Sequence, residues 1–176
     1  MDLGLKGKRA VVTAASRGLG LATARSLAQA GVDVTMNARG AETLEAEAAK
    51  IRNEFGVEVT TVAADFNEAE GREALLEAAG QVDILVNNPG VRQVPTPYDQ
   101  ITIEDWRYWL EVHFLSSVQM IQAVAPKMKD RSFGRIVNMS VSFIKFPQVG
   151  YANSHAARLA LSGATAAMTR ELVPHN

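Results

Sequence analysis

The chain has 176 residues, 47% hydrophobic and 21% charged, a composition that fills a packed core and carries no mark of disorder. Its 18 Lys and Arg against 19 Asp and Glu leave a net charge of −1, which gives no electrostatic reason to expect nucleic acid or an anionic membrane as partner. Cysteine is absent, excluding disulfides, thiolate catalysis and Cys-ligated metal, and His113, His155 and His175 show no metal-ligand spacing.

At ~100–200 residues per domain, the length predicts one domain over residues 1–176. The opening residues lack the basic-then-apolar order of a secretory signal. No stretch reaches the ~18 apolar residues of a membrane span. A soluble, cytoplasmic protein is expected.

Residues 9–15 (RAVVTAA) are a short apolar, β-branched run between Gly7 and a Ser-Arg-Gly turn, the pattern of a buried strand. Residues 19–30 set Leu19, Ala22, Leu27 and Ala30 at helical spacing, with Gly31 as the stop. A second strand (32–38) leads to a second helix (41–55) closed by Gly56. A third strand (57–64), a helix (68–79) ending at Gly80 and a fourth strand (82–87) follow. A Pro-bearing loop (89–102) opens one long helix over 103–129. Residues 134–139 form the fifth strand, and after a loop with Gly150 a last helix covers 153–172.

Strand and helix alternate five times. Each helix must carry the chain back across the sheet in a right-handed crossover, which makes the strands parallel. The fold predicted is α/β, a doubly wound parallel sheet of the Rossmann type, with strand order 3-2-1-4-5 and helices on both faces. One edge of such a sheet is left uncovered and open to pairing.

The first strand runs through Thr13-Ala14-Ala15-Ser16-Arg17-Gly18-Leu19-Gly20 straight into a helix. Small residues at such a turn let the backbone approach a pyrophosphate, and the helix start turns free N–H groups towards it. This TAASRGLG resembles the TGxxxGxG turn of the short-chain dehydrogenase/reductase family, with Ala14 where the first Gly is usual. Asn87-Asn88-Pro89-Gly90 resembles the family's NNAG, with Pro89 for Ala. Asp65, followed by Phe66, sits where members place an Asp beside the adenine. Gly134 to Asn138 is similar to the stretch opening the family's fifth strand. The markers span nearly the whole chain, in order, with a likeness to 3-oxoacyl-acyl-carrier-protein reductases. The resemblance implies a cofactor site formed by Thr13, Ala15, Ser16, Arg17, Gly18, Leu19, Gly20, Arg39, Asp65, Phe66, Asn87, Asn88, Pro89 and Gly90. Charge decides which cofactor. Asn37-Ala38-Arg39 ends the second strand with no acid to accept from a ribose hydroxyl, and Arg17 and Arg39 offer two forked cations for a 2′-phosphate. NADP(H) is expected.

The family's carbonyl chemistry uses a Tyr proton donor, a Lys four residues later on the same helix face, a Ser on the preceding loop and an Asn on the long helix. Two placements compete. One takes Tyr151 as the Tyr and His155 in place of the Lys, but needs three extra residues, which would rotate the helix downstream by about 300°. The gapless placement, which is preferred, aligns Ser154 with the Tyr and Arg158 with the Lys. It resembles a divergent branch with SxxxR for YxxxK. On it Val141 falls where the Ser belongs, between Ser140 and Ser142, and His113 falls where the Asn belongs. The candidates are therefore Ser140 or Ser142 to orient a carbonyl, Tyr151 or Ser154 for the proton path, Arg158 for the nicotinamide ribose, and His113 or His155 as a proton donor near neutral pH.

Family members continue beyond the point where this sequence stops, so the chain reads as C-terminally short. Small and apolar residues surround most of the last helix, from Ala152 to Met168, which predicts burial on more than one side. In the family this helix and the long one before it join subunits, so a homodimer or homotetramer is expected. The leading expectation is an NADP(H)-dependent oxidoreductase acting on a small carbonyl or alcohol, such as a 3-oxoacyl thioester. The alternative is a catalytically weak NADP(H)-binding subunit or sensor.

Overall fold

The computed structural model describes residues 3–91 and 93–175, with the backbone alone for Phe143. Five parallel strands, β1 (Arg9–Val12), β2 (Asp33–Ala38), β3 (Val59–Ala63), β4 (Ile84–Asn87) and β5 (Arg135–Asn138), lie in the order β3-β2-β1-β4-β5. The helices are α1 (Gly18–Gln29), α2 (Ala41–Phe55), α3 (Ala69–Ala79), α4 (Ile103–Leu110), α5 (Ser116–Asp130) and α6 (Ala152–Leu172). The predicted doubly wound sheet is therefore the observed one.

Strand side chains alternate, and both faces are covered, which is why the central strands read as unbroken apolar runs. Ala10, Val12, Val34, Met36, Ile84 and Val86 point to one face and pack with Ala24 and Ala28 of α1 and Leu44, Ala48 and Ile51 of α2. Val11 and Leu85 point to the other, against Leu75 of α3 and Met120, Ile121 and Val124 of α5. Far from the strand tips, buried Asp83 accepts from the Arg9 N–H and pairs with Arg131 at 3.3 Å, tying β1 to the end of α5. Beyond β4, β5 has no further strand partner among the described residues, and Val137 on it is half exposed.

Two sequence expectations are corrected. The first strand stops at Val12 rather than Ala15. The Thr13 hydroxyl accepts from the Asn88 N–H at 2.7 Å, and Ala14 turns the chain into the left-handed region at φ +48°. The long helix is not continuous either. Thr102 and Asp105 cap α4 reciprocally, and a π-helical turn, Glu111–Leu115, separates α4 from α5. Such turns widen a helix by one residue and favour functional positions. This one carries His113.

Candidate active site

The sheet's order reverses beside β1, and in open α/β sheets the crevice at that switch point, past the carboxyl ends of the strands, is where ligands bind. A cleft of about 540 Å³ lies there. Of the residues predicted for the cofactor, Ser16, Arg17, Leu19, Arg39, Asp65, Phe66, Asn88, Pro89 and Gly90 line it. Of the others, Thr13, Ala15, Gly20 and Asn87 are buried behind that lining and Gly18 is exposed beside it. Thr13 is fully buried and holds the β4 loop through Asn88, while Asn87 donates its amide to Asn138 Oδ1 at 2.8 Å. Buried Ala15 gives its N–H to the Asn37 carbonyl. Gly18 opens α1 at φ +57°. Gly20 has no room for a side chain, because a Cβ there would strike the Ala14 carbonyl and come within 2.9 Å of Asn88 Nδ2.

The cleft fits a dinucleotide on the chemistry of these groups. α1 begins with no side-chain cap and no acid in its first turn, so its orphan N–H groups stay available for an anion. A Cβ on Gly90 would lie 2.5 Å from that of Ala14, so glycine lets the β4 loop close on the first turn. Arg39 stands 4.0 Å from Asp65 with its side chain 69% exposed, a pair too solvated to neutralise it. Sequence reading omitted Thr43, in the first turn of α2, and Asn67, both in the lining. It also gave Asn37 no structural role. That carboxamide, almost fully buried, donates to the carbonyls of Val62 and Ala64 and fastens the tip of β3 to β2. Arg72 of α3 is a further omission. Its buried guanidinium donates to the Phe66 and Asn67 carbonyls at 3.0 and 2.8 Å and stands 3.3 Å from Glu111 of the π turn.

The predicted catalytic residues divide. His113, Ser140 and Arg158 line a second cavity of about 310 Å³ between β5, the π turn and α6. Ser154 is buried beside it and accepts from Arg158 Nε at 3.4 Å, one helical turn on. Ser142 is exposed and starts a short 3₁₀ turn, Ser142–Ile144, outside that lining. Tyr151 precedes α6, its ring 6.2 Å from that of His155, and neither lines the cavity. α6 runs unbroken from Ala152 to Leu172.

The histidines depart from expectation. His113 is 1% exposed and stacked on Trp109, with centroids 5.0 Å apart. Burial, with the Arg158 cation adding to it, pulls its pKa down to about 3. Near pH 7 it is a neutral imidazole, so an imidazolium acid at 113 is corrected. His155 shifts down for the same two reasons. Burial also lowers the Arg158 pKa from its usual value.

A parallel doubly wound sheet with a small-residue turn and a cleft at its switch point is the architecture of a dinucleotide-binding fold. The chain belongs to the short-chain dehydrogenase family, whose model, described as short chain dehydrogenase, matches residues 8–176. It is 35% identical over 178 aligned residues to dehydrogenase/reductase SDR family member 4 of Rattus norvegicus, covering 98% of this chain and 63% of that protein. It is 32% identical to the 3-oxoacyl-acyl-carrier-protein reductase FabG of Aquifex aeolicus, covering 100% of this chain and 72% of that one. Among solved structures, L-sorbose reductase from Gluconobacter frateurii, complexed with NADPH and L-sorbose, superposes with a TM-score of 0.94 at 30% identity, over 100% of this chain and 68% of its own. An NAD+-bound xylitol dehydrogenase superposes at 0.87 and 27% identity, over 98% and 67%. Among the described residues, no helix is long and apolar enough to cross a membrane.

Proposed function

We propose that the chain is the nucleotide-binding and catalytic portion of an NADP(H)-dependent oxidoreductase that acts on a small carbonyl or alcohol. The observation that carries this reading is the pair of guanidiniums, Arg17 and Arg39, in the lining of a cleft whose β2 end offers Asn37 and Ala38 instead of an acid. A 2′-phosphate matches that charge, and a bare ribose hydroxyl does not. NADPH in the L-sorbose reductase complex agrees with it. When bound, the cofactor supplies the hydride.

The chain's own residues do the rest. The α1 start and Ser16 receive the pyrophosphate, Arg17, Arg39 and Thr43 the 2′-phosphate, and Asp65 and Phe66 the adenine end. Asn87 to Gly90 form the wall beside the nicotinamide. We adopt the gapless placement, since Arg158 shares a cavity with His113 and Ser140. Ser140 orients the carbonyl, with Ser142 beyond it. Ser154 or Tyr151 carries the proton path, neutral His113 accepts or donates a hydrogen bond, and Arg158 faces the nicotinamide ribose. Ile103, Tyr108 and Leu115 around α4, and Leu159 on α6, are exposed apolar side chains on the helices through which we expect a homodimer or homotetramer.

A second reading rests on one observation. The residue aligned with the phenol donor is a buried serine, a far weaker acid. On that reading the chain binds NADP(H) as a subunit or sensor and does not turn over.

Parallel calorimetric titrations with NADPH and NADH test the proposal. NADPH should bind more tightly, and Arg39→Ala should shrink the difference by about tenfold or more, the worth of charged hydrogen bonds to a phosphate. A folded chain that binds neither nucleotide, or both equally, refutes the assignment. Binding with no NADPH oxidation by any carbonyl selects the second reading.

A further inference from the structure

The cofactor cleft and the catalytic cavity have no lining residue in common, yet one buried side chain touches elements that build each. Arg72 of α3 donates from Nη1 to the carbonyls of Phe66 and Asn67, at 3.0 and 2.8 Å. Those two residues, with Asp65, line the cleft. The same Nη1 stands 3.3 Å from Oε1 of Glu111, which opens the π turn. Two residues on, His113 lines the catalytic cavity, its ring stacked on Trp109. Val112 between them packs in one cluster with Ala157 of α6, the neighbour of Arg158. One nitrogen therefore joins the adenine end of the cleft to the turn that shapes the cavity.

Nη1 carries two N–H bonds and faces three acceptors. In this arrangement both are spent on the carbonyls, and Glu111 Oε1, itself buried, takes no hydrogen bond among the described residues. For a cationic donor a carboxylate is a stronger acceptor than a carbonyl, because it carries a full charge. Glu111 therefore gains an N–H whenever either carbonyl gives one up. Coupling between separate sites needs an element with two arrangements that both sites bias, and three acceptors competing for two N–H bonds supply one. A ligand that draws residues 65–67 towards the cleft acts on the carbonyl side. The π turn, with its extra backbone residue, is the part able to follow. The Glu111 side chain is 34% exposed, so the ion pair adds little to stability. What it fixes is position.

We infer that Glu111 is a positioning residue: through Arg72 it links occupancy of the adenine end of the cofactor cleft to the placement of the His113 ring, on its Trp109 support, in the catalytic cavity. The inference rests on the reading of the cleft as an NADP(H) site.

The test titrates the full chain with adenosine 2′,5′-bisphosphate, which carries the adenine end of NADP(H) and has no nicotinamide to enter the cavity. Calorimetry reads affinity, and ¹H–¹⁵N spectra follow the His113 ring and the Trp109 indole, the latter assigned against Trp106→Phe. Binding should move both signals in the unaltered chain. In Glu111→Ala the affinity should stay within about fivefold, the worth of a partly exposed ion pair, while the binding-induced shifts at 113 and 109 vanish. Glu111→Gln, whose amide oxygen still accepts from Nη1, should restore part of them, with circular dichroism confirming the fold of each variant. Should Glu111→Ala not fold, Glu111→Gln is read in its place and must give smaller shifts than the unaltered chain. Binding that leaves the His113 and Trp109 signals in place, or shifts that persist in full in the variant read, overturns the coupling and leaves the NADP(H) reading standing. A folded chain that binds neither the bisphosphate nor NADPH overturns that reading and the coupling with it.

Discussion

Replacing Arg72 by Met keeps most of the side-chain volume and removes the donors. Arg72 Nη1 serves the Phe66 and Asn67 carbonyls at 3.0 and 2.8 Å, with the Glu111 carboxylate at 3.3 Å and the guanidinium side chain only 7% exposed. Two hydrogen bonds from a charged donor are worth ~1.5–3 kcal/mol each. The Glu111 attraction adds less, because that side chain is 34% exposed and solvent screens it. Water that reaches the freed carbonyls returns part of the loss. The expected cost is about 3–5 kcal/mol, within the range for removing one partner of a buried pair. Against a typical stability of ~5–15 kcal/mol, it should lower Tm by roughly 10 °C at ~2–4 °C per kcal/mol. Urea unfolding followed by circular dichroism gives the free energy. Calorimetry with NADPH gives the functional consequence, since the Asp65–Asn67 stretch that Arg72 holds lines the cleft. Arg72→Lys should recover only part of both, because an ammonium lacks the fork. A loss under about 1 kcal/mol with unchanged NADPH affinity would refute the reasoning. The stretch would then be held by its own bonds, such as the Asp65 carboxylate accepting from the Asn67 N–H.

Gly20→Ala should cost about 1–3 kcal/mol in urea unfolding, as over-packing does, and should weaken NADPH binding, because its methyl meets the Ala14 carbonyl where the first turn closes. Gly18→Ala is the contrast: nothing lies within 4 Å of a Cβ there, so only the left-handed backbone is strained, at about 1 kcal/mol. His113 makes stability pH-dependent. With its folded pKa lowered to about 3 from 6.5, its contribution is complete above pH ~6.5 and is lost as pH falls towards ~3. At pH ~5 the protein should have lost about 2 kcal/mol through this group, and urea titrations at both pH values should show that loss shrinking in His113→Asn.

The sheet was legible in the sequence because its rules are local. Alternation of apolar runs with helical spacing sets the crossovers, and the left-handed glycines Gly31, Gly56 and Gly80 end three of the helices where the pattern ends. What escaped the sequence depends on residues far apart in the chain. Nothing in Glu111-Val112-His113-Phe114-Leu115 announces a π turn, since one added residue barely disturbs the apolar spacing around it. Arg72 looks like any charge on a surface helix, and becomes a buried clamp only because the carbonyls of Phe66 and Asn67 close over it. His113 could be picked out by register against the family, yet its protonation could not. That follows from Trp109 beneath the ring and from Arg158, which the fold brings to the same cavity. The same pairing carries the main chemical consequence. A cation in the Lys position cannot give up its proton near neutral pH, and it adds to the burial that keeps His113 neutral. The departures at 113 and 158 therefore act together: near neutral pH the cavity they share holds a cation and a neutral imidazole, and no imidazolium acid at 113.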